Sequence, residues 1–170
     1  MKKFRIILLF LFLLTFSIMS VFANSIDDAK SFFDKYISAA NSYQENVPDF
    51  YAKDARILRY VIQKDGTIYP TPLTIPMDEY KKQMSMNSKF AKLRNYKNLY
   101  SNVNISQVGD DFKISADRTP STSPNDKLKA HFIVGKDVGG KFVIKEEMMQ
   151  SRVQTFLSQI KKQEQGMKQK

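Results

Sequence analysis

From Lys97 to Arg152, apolar and polar residues alternate along four successive stretches, and this constrains the fold more than any other feature of the chain. Lys97 to Val108, Phe112 to Thr119, Lys127 to Lys136 and Lys141 to about Arg152 each carry the period of two expected of a strand with one covered face. Gly109-Asp110-Asp111, a Pro/Ser/Thr stretch from Pro120 to Asn125, and Asp137-Val138-Gly139-Gly140 separate them. These are turn-type sequences, so the four strands are expected to form an antiparallel meander.

The first half supplies helices to cover that meander. Ser25 with Asp28 three residues on forms a capping pair. Ile26, Ala29, Phe32, Phe33, Tyr36, Ile37 and Ala40 then recur at steps of three and four, placing them on one stripe of a helix that reaches about Tyr43. Asn46-Val47-Pro48 restarts the chain, because proline suits a first helical turn, and a short second helix is expected from Asp49 to Asp54. Arg56 to Gln63 has strand composition, and Asp65-Gly66 is a hairpin turn into Thr67-Ile68-Tyr69. Pro70, Pro72 and Pro76 break that pattern, and a third helix is expected from Met77 to Leu93. Phe156, Leu157 and Ile160 mark a short terminal helix.

Residues 1–23 have a basic start (Lys2, Lys3, Arg5), an apolar run from Ile6 to Phe16, and small residues closing on Val21-Phe22-Ala23. That pattern predicts a bacterial secretory signal cleaved after Ala23 and a periplasmic or secreted product. Retention of the segment as a membrane anchor is the competing reading. The domain is expected to span 24–154, with 155–170 as a basic C-terminal tail or short helix. Loss of the leader takes the net charge from +10 to +7. No nucleic-acid motif accompanies the excess, so no nucleic-acid partner is expected. The chain has no cysteine and one histidine, which excludes a disulfide framework, a lipoprotein anchor and a Cys/His zinc site, and with that histidine on the outward parity no nucleophilic triad is expected. No cofactor is implied.

The order helix, short helix ending in Tyr51-Ala52-Lys53-Asp54-Ala55, hairpin, helix and four long strands resembles the nuclear transport factor 2-like (NTF2-like, SnoaL/ketosteroid-isomerase-like) superfamily over about Ile26 to Val153. The resemblance implies an α+β, cystatin-like cone, in which a curved antiparallel sheet wraps around the N-terminal helices and encloses a pocket. Isomerases, dehydratases, cyclases, binding proteins and secretion-system scaffolds share that fold, so it assigns no function.

Strand parity selects the side chains that face the pocket. Leu128, Ala130, Phe132 and Val134 are expected inward, with Phe112, Ile114, Ala116 and Arg118 beside them. The same parity turns Phe142, Ile144, Glu146, Met148 and Gln150 inward on the last strand, and Leu99, Ser101, Val103 and Ile105 on the first. Tyr60 and Tyr51 complete a candidate pocket of Tyr51, Tyr60, Arg118, Glu146 and Gln150. An apolar cavity with a few convergent polar groups suits a small apolar ligand; Arg118 and Glu146 as a structural ion pair is the plainer reading. An isomerase-type reaction would use Glu146 as base and a tyrosine as donor, but an adjacent guanidinium weakens such a base. His131 is expected outward. Tyr96, Tyr100 and Ile133 on the outer face are interface candidates, implying a homodimer or a partner protein. A scaffold subunit of a membrane assembly is the third reading.

Overall fold

The computed structural model describes residues 26–168, so the expected leader and cleavage site lie outside the described residues. Helix α1 covers residues 26–41. It buries Ala29, Phe33 and Tyr36, spaced four and three apart, against the sheet. It ends in a Schellman turn, with Tyr43 at φ 59 and the Gln44 N–H donating to the Ala39 carbonyl. A single 3-10 turn, Val47–Phe50, starts on the expected proline, and the chain then passes directly into strand β1, Tyr51–Val61. The second helix expected over Asp49 to Asp54 is therefore two residues of turn followed by four of strand. Tyr51 and Ala55 are buried, and an extended chain places them on one face as well as a helix would.

The hairpin after β1 is abbreviated. Asp65 turns the chain by accepting the Thr67 N–H, and Ile62 bridges Ile68, but the prolines stop the ladder until strand β2, Leu73–Ile75. Helix α2 then runs Met77–Leu93 and closes in a Schellman turn at Asn95. Strands β3 (Asn98–Val108), β4 (Asp111–Pro120), β5 (Leu128–Lys136) and β6 (Phe142–Ser151) form the expected antiparallel meander. Helix α3, Thr155–Lys168, comes last and sends Ile160 into the core, fully buried.

The six strands lie in the order β2-β1-β6-β5-β4-β3. β1 runs parallel to β6, so the sheet as a whole is mixed. No turn joins those two strands, and nothing local forces them antiparallel. The sheet is open, and its two edges are β2 and β3.

Two β-bulges decide which side chains face the helices. In β3, Asn102 and Val103 together oppose Ala116, and Asn102 adopts φ 52. In β6, Ile133 pairs with Glu146 but Val134 pairs with Ile144, so Lys145 is the extra residue. Each insertion reverses the parity of the residues beyond it. Lys145 uses its displaced position to reach over β5 and pair with Asp111 at 2.7 Å. Gly135 lies beneath that bridge; a Cβ there would fall 1.8 Å from the Asp111 carboxylate.

Replacing Gly135 with alanine should displace Asp111 and break its bridge to Lys145, at a cost of about 1 kcal/mol given the partial exposure of the pair. The penalty should largely vanish when Asp111→Ala is already present, as urea unfolding of the double-mutant set would show.

Candidate functional site

The bulge at Lys145 turns Glu147 inward, where its side chain is fully buried. One carboxylate oxygen accepts hydrogen bonds from the hydroxyls of Tyr36 (3.2 Å) and Tyr51. The other accepts from Arg59 Nη2 (2.6 Å) and the Tyr80 hydroxyl (2.8 Å). The two hydroxyls of Tyr36 and Tyr51 also lie 2.8 Å apart. Tyr36 comes from α1, Tyr51 and Arg59 from β1, Tyr80 from α2 and Glu147 from β6, so one anion joins four elements. Arg59 Nη1 donates to the Leu58 carbonyl at 3.0 Å, and its guanidinium lies 5.2 Å from the Tyr80 ring centre.

A carboxylate offers about four acceptor positions. All four on Glu147 are taken by protein donors. Burial, and then the Glu147 charge, push the phenols of Tyr36 and Tyr51 well above the ordinary tyrosine value, and both causes raise Tyr80 and Tyr100 as well. Burial alone would lower Arg59, but the Glu147 charge, its hydrogen bond and the neighbouring Tyr80 and Tyr51 together outweigh this, and the Arg59 pKa is raised. The arrangement is thus a buried anion, a guanidinium held charged and phenols held neutral. It is a closed set.

The five residues expected to share a pocket are divided by the structure. Tyr51 belongs to the Glu147 set. Arg118 faces inward and is buried, but lies apart from Glu146: it donates to Asn98 Oδ1 (2.8 Å) and to the Gln150 carbonyl (2.8 Å). Its Nε is buried without a partner, and among the described residues no carboxylate lies within 4.0 Å of the guanidinium. Glu146, Gln150 and Tyr60 face outward. Glu146 pairs with Arg56 across the outer surface at 3.0 Å. Gln150 is the register partner of Tyr60, and its Oε1 accepts the Lys129 N–H.

The outer-face candidates also separate. Tyr100 turns inward, 5.6 Å from the Phe33 ring and 6.1 Å from Phe132. The half-buried Tyr96 donates to Asn98 Oδ1, the same oxygen that receives Arg118. Ile133 keeps its outward position, half-buried beside a hydrogen-bonded Ser115–His131 pair. His131 is lowered, by burial first and then by Lys113 and Lys129.

Nothing in the sequence pattern marks Arg59 or Tyr80 as part of this set. For Glu147 the one signal is the run Lys145-Glu146-Glu147, where alternation fails and a register shift has room to occur.

An open cleft of about 570 Å³ lies outside this network, where α1 and the 3-10 turn meet the β5–β6 end of the sheet. Phe32, Phe50 and Phe142 form its apolar part, with Phe32 5.7 Å from Phe50 and 5.9 Å from Phe142. Lys35, Lys136 and Lys141 stand at its rim with Asp28 and Asp49. Lys136 Nζ lies 5.7 Å from the Phe142 ring centre, and Lys141 Nζ donates to the Asp49 carbonyl.

The architecture matches known structures closely enough to name it. A yeast protein, the Ubp3-associated protein Bre5, superposes with a TM-score of 0.53 at 22% identity, over 71% of this chain and 91% of that one. An NTF2-like protein with a cystatin-like fold from Novosphingobium aromaticivorans gives 0.56 at 7% identity, over 80% and 89%. An NTF2-like protein of unknown function from Pseudomonas putida gives 0.54 at 10% identity, over 76% and 87%. The fold is NTF2-like. At these identities the likeness extends to fold alone. No family model matches the sequence, and no curated protein does. In this NTF2-like domain the polar groups nearest the middle of the sheet bond to one another, and the roomy concavity is at the rim.

A phenol whose pKa is raised by folding stabilises the native state fully below the unfolded value, near 10, and loses that contribution as pH climbs toward the folded value. In an alkaline absorbance titration, the tyrosinate signals of Tyr36, Tyr51, Tyr80 and Tyr100 should therefore appear together with loss of structure. All eight tyrosines ionising near pH 10 with circular dichroism unchanged would contradict the network.

Proposed function

We propose that the protein is a non-catalytic binding module that holds a small apolar ligand bearing an acid group in the Phe32–Phe50–Phe142 cleft. The observation that carries this reading is the pairing of an aromatic floor with three lysines in a concavity of about 570 Å³, within the size range of small-molecule sites. An aromatic or alkyl body would cover the phenylalanines. An anionic head would meet Lys35, Lys136 and Lys141, and on a partly apolar surface a charged hydrogen bond of that kind is among the stronger contacts available.

An isomerase or dehydratase reading has weaker support. It requires a carboxylate free to take a proton from substrate, and the inward carboxylate of this site, Glu147, is already surrounded by four donors. A homodimer through the outer sheet face draws its support from the half-buried Ile133 and Met148, while Leu58 on that face is already covered. That face also spends its charges on internal pairs, Arg56–Glu146 and Lys129–Asp117, which leaves less apolar surface for a second copy. Export rests on the leader sequence of residues 1–23. Intact mass of the product recovered outside the cytoplasm should correspond to a chain beginning at Asn24; a retained leader would support the anchored alternative.

Anilinonaphthalene sulfonate, an aromatic anion whose fluorescence rises on leaving water, is a suitable probe of the cleft. Replacing Lys35 and Lys136 together with glutamate should weaken its binding by about tenfold, or ~1.4 kcal/mol, with thermal stability unchanged because both side chains are exposed. Equal affinity in the double variant would move the ligand elsewhere.

A further inference from the structure

Helix α2 has two unlike faces. Met77 is buried, and Tyr80, Met84 and Ala91 are half-buried on the side toward the domain. Met86, Phe90 and Leu93 lie on the opposite side, spaced four and three apart, and are 64%, 63% and 82% exposed. At about 100° per residue these three fall within one narrow arc, so they make a continuous apolar ridge. Lys82 and Lys89 flank it on the same arc. The helix's two acids, Asp78 and Glu79, are both in the first turn, where a carboxylate suits the helix N-terminus, and Glu79 is bonded to Gln83.

The charge around the ridge is of one sign. Between Tyr80 and Gly109 the chain carries Lys81, Lys82, Lys89, Lys92, Arg94 and Lys97 and no Asp or Glu. Among the described residues, none of these six pairs with a carboxylate. A solvated helix usually intersperses both signs and keeps its large apolar groups scattered. Here a ridge of Met, Phe and Leu is bordered by uncompensated cations.

We propose that this face of α2 docks on an anionic lipid bilayer, with Met86, Phe90 and Leu93 entering the acyl boundary and Lys82, Lys89 and Lys92 meeting lipid phosphates. The shape favours lipid over a protein partner. A ridge that projects from the domain needs a complementary groove in a protein, whereas a bilayer interface accepts it by local rearrangement, and basic helices with Phe and Leu on one side lie in that interface. The charge complementarity is to a surface, since Lys82, Lys89 and Lys92 are spread along about 15 Å of helix rather than gathered at one point. This surface is distinct from the cleft, and either can fail without the other.

The absence of cysteine from the chain permits a local probe on the full-length protein. A nitrobenzoxadiazole dye on Leu93→Cys reports the ridge. The same dye on Val138→Cys, in the exposed turn between β5 and β6, is the control, so that any membrane attachment through the first residues is not mistaken for docking of α2. With mixed phosphatidylglycerol and phosphatidylcholine vesicles, the Leu93 label should shift to the blue and brighten several-fold, and the Val138 label should not. Changing Lys82, Lys89 and Lys92 to glutamine should reduce the response at least threefold. No response, an equal response on pure phosphatidylcholine, or an equal response at Val138 overturns the proposal. A blue shift that grows with protein concentration in the absence of lipid also overturns it, by placing a second copy on the ridge.

Discussion

A carboxylate with no access to water must be neutralised where it stands, and much of this molecule is arranged around that requirement. Removing an ion from water costs several kcal/mol even after relaxation. Glu147 meets the cost with one guanidinium and three phenols, and each of those donors is itself buried or half-buried. The donors come from α1, β1 and α2, so the helices cannot slide over the sheet without stranding a charge. Apolar contacts such as Phe33 against Phe132 at 4.9 Å supply the bulk of the packing. They tolerate small shifts that hydrogen bonds of 2.6 to 3.2 Å do not. Loss of one partner would leave the others uncompensated, whereas concerted replacement by apolar side chains is far less damaging in such clusters.

The same constraint determines where a ligand fits. An NTF2-like cone encloses space between sheet and helices, and here Tyr36, Tyr51, Tyr80, Arg59 and Glu147 fill part of it with groups already bonded to one another. A ligand entering there would have to break those bonds in a low-dielectric setting, where unpaired polar groups are costly. Space remains at the rim, beside Phe32, Phe50 and Phe142. Those three rings are half-buried, so they have apolar area left to cover.

The sequence displayed the fold more clearly than it displayed the site. Helix α2 falls on Met77–Leu93 as the pattern implied, because Pro76 and Asn95 punctuate both ends. Strand parity is right in β4 and β5: Phe112, Ile114, Ala116 and Arg118 line up inward with Leu128, Ala130, Phe132 and Val134. These two strands pair without a shift. Parity breaks down in β3 and β6, where a bulge puts Tyr100 inside in place of Leu99 and Glu147 inside in place of Glu146. Alternation is a property of a continuous strand, and where it fails, as at Lys145-Glu146-Glu147, it does not say which residue has been inserted. In β1 the difficulty is different. Ile57 and Leu58 are buried on opposite faces, so the apolar run gave no contrast by which to choose Arg59 over Tyr60.

The two sheet edges are protected in different ways. An exposed edge offers unpaired backbone groups to other chains and is normally covered or disrupted. At β2 the covering comes from α3: the Gln163 amide donates to the Thr74 carbonyl at 2.7 Å and accepts the Thr74 N–H at 3.3 Å. One side chain thus replaces a missing strand at that residue, while Ile160 anchors the helix in the core and Tyr69 bonds Glu164. The C-terminal helix is therefore structural despite its basic composition. At β3 the bulge at Asn102 interrupts the edge instead, bending it where a straight partner strand would have to pair. An edge disrupted in this way is poorly suited to adding a strand. Exposed apolar side chains remain on β3 itself, at Leu99, Val103 and Val108, and on the ridge of α2, which needs no backbone pairing to be covered.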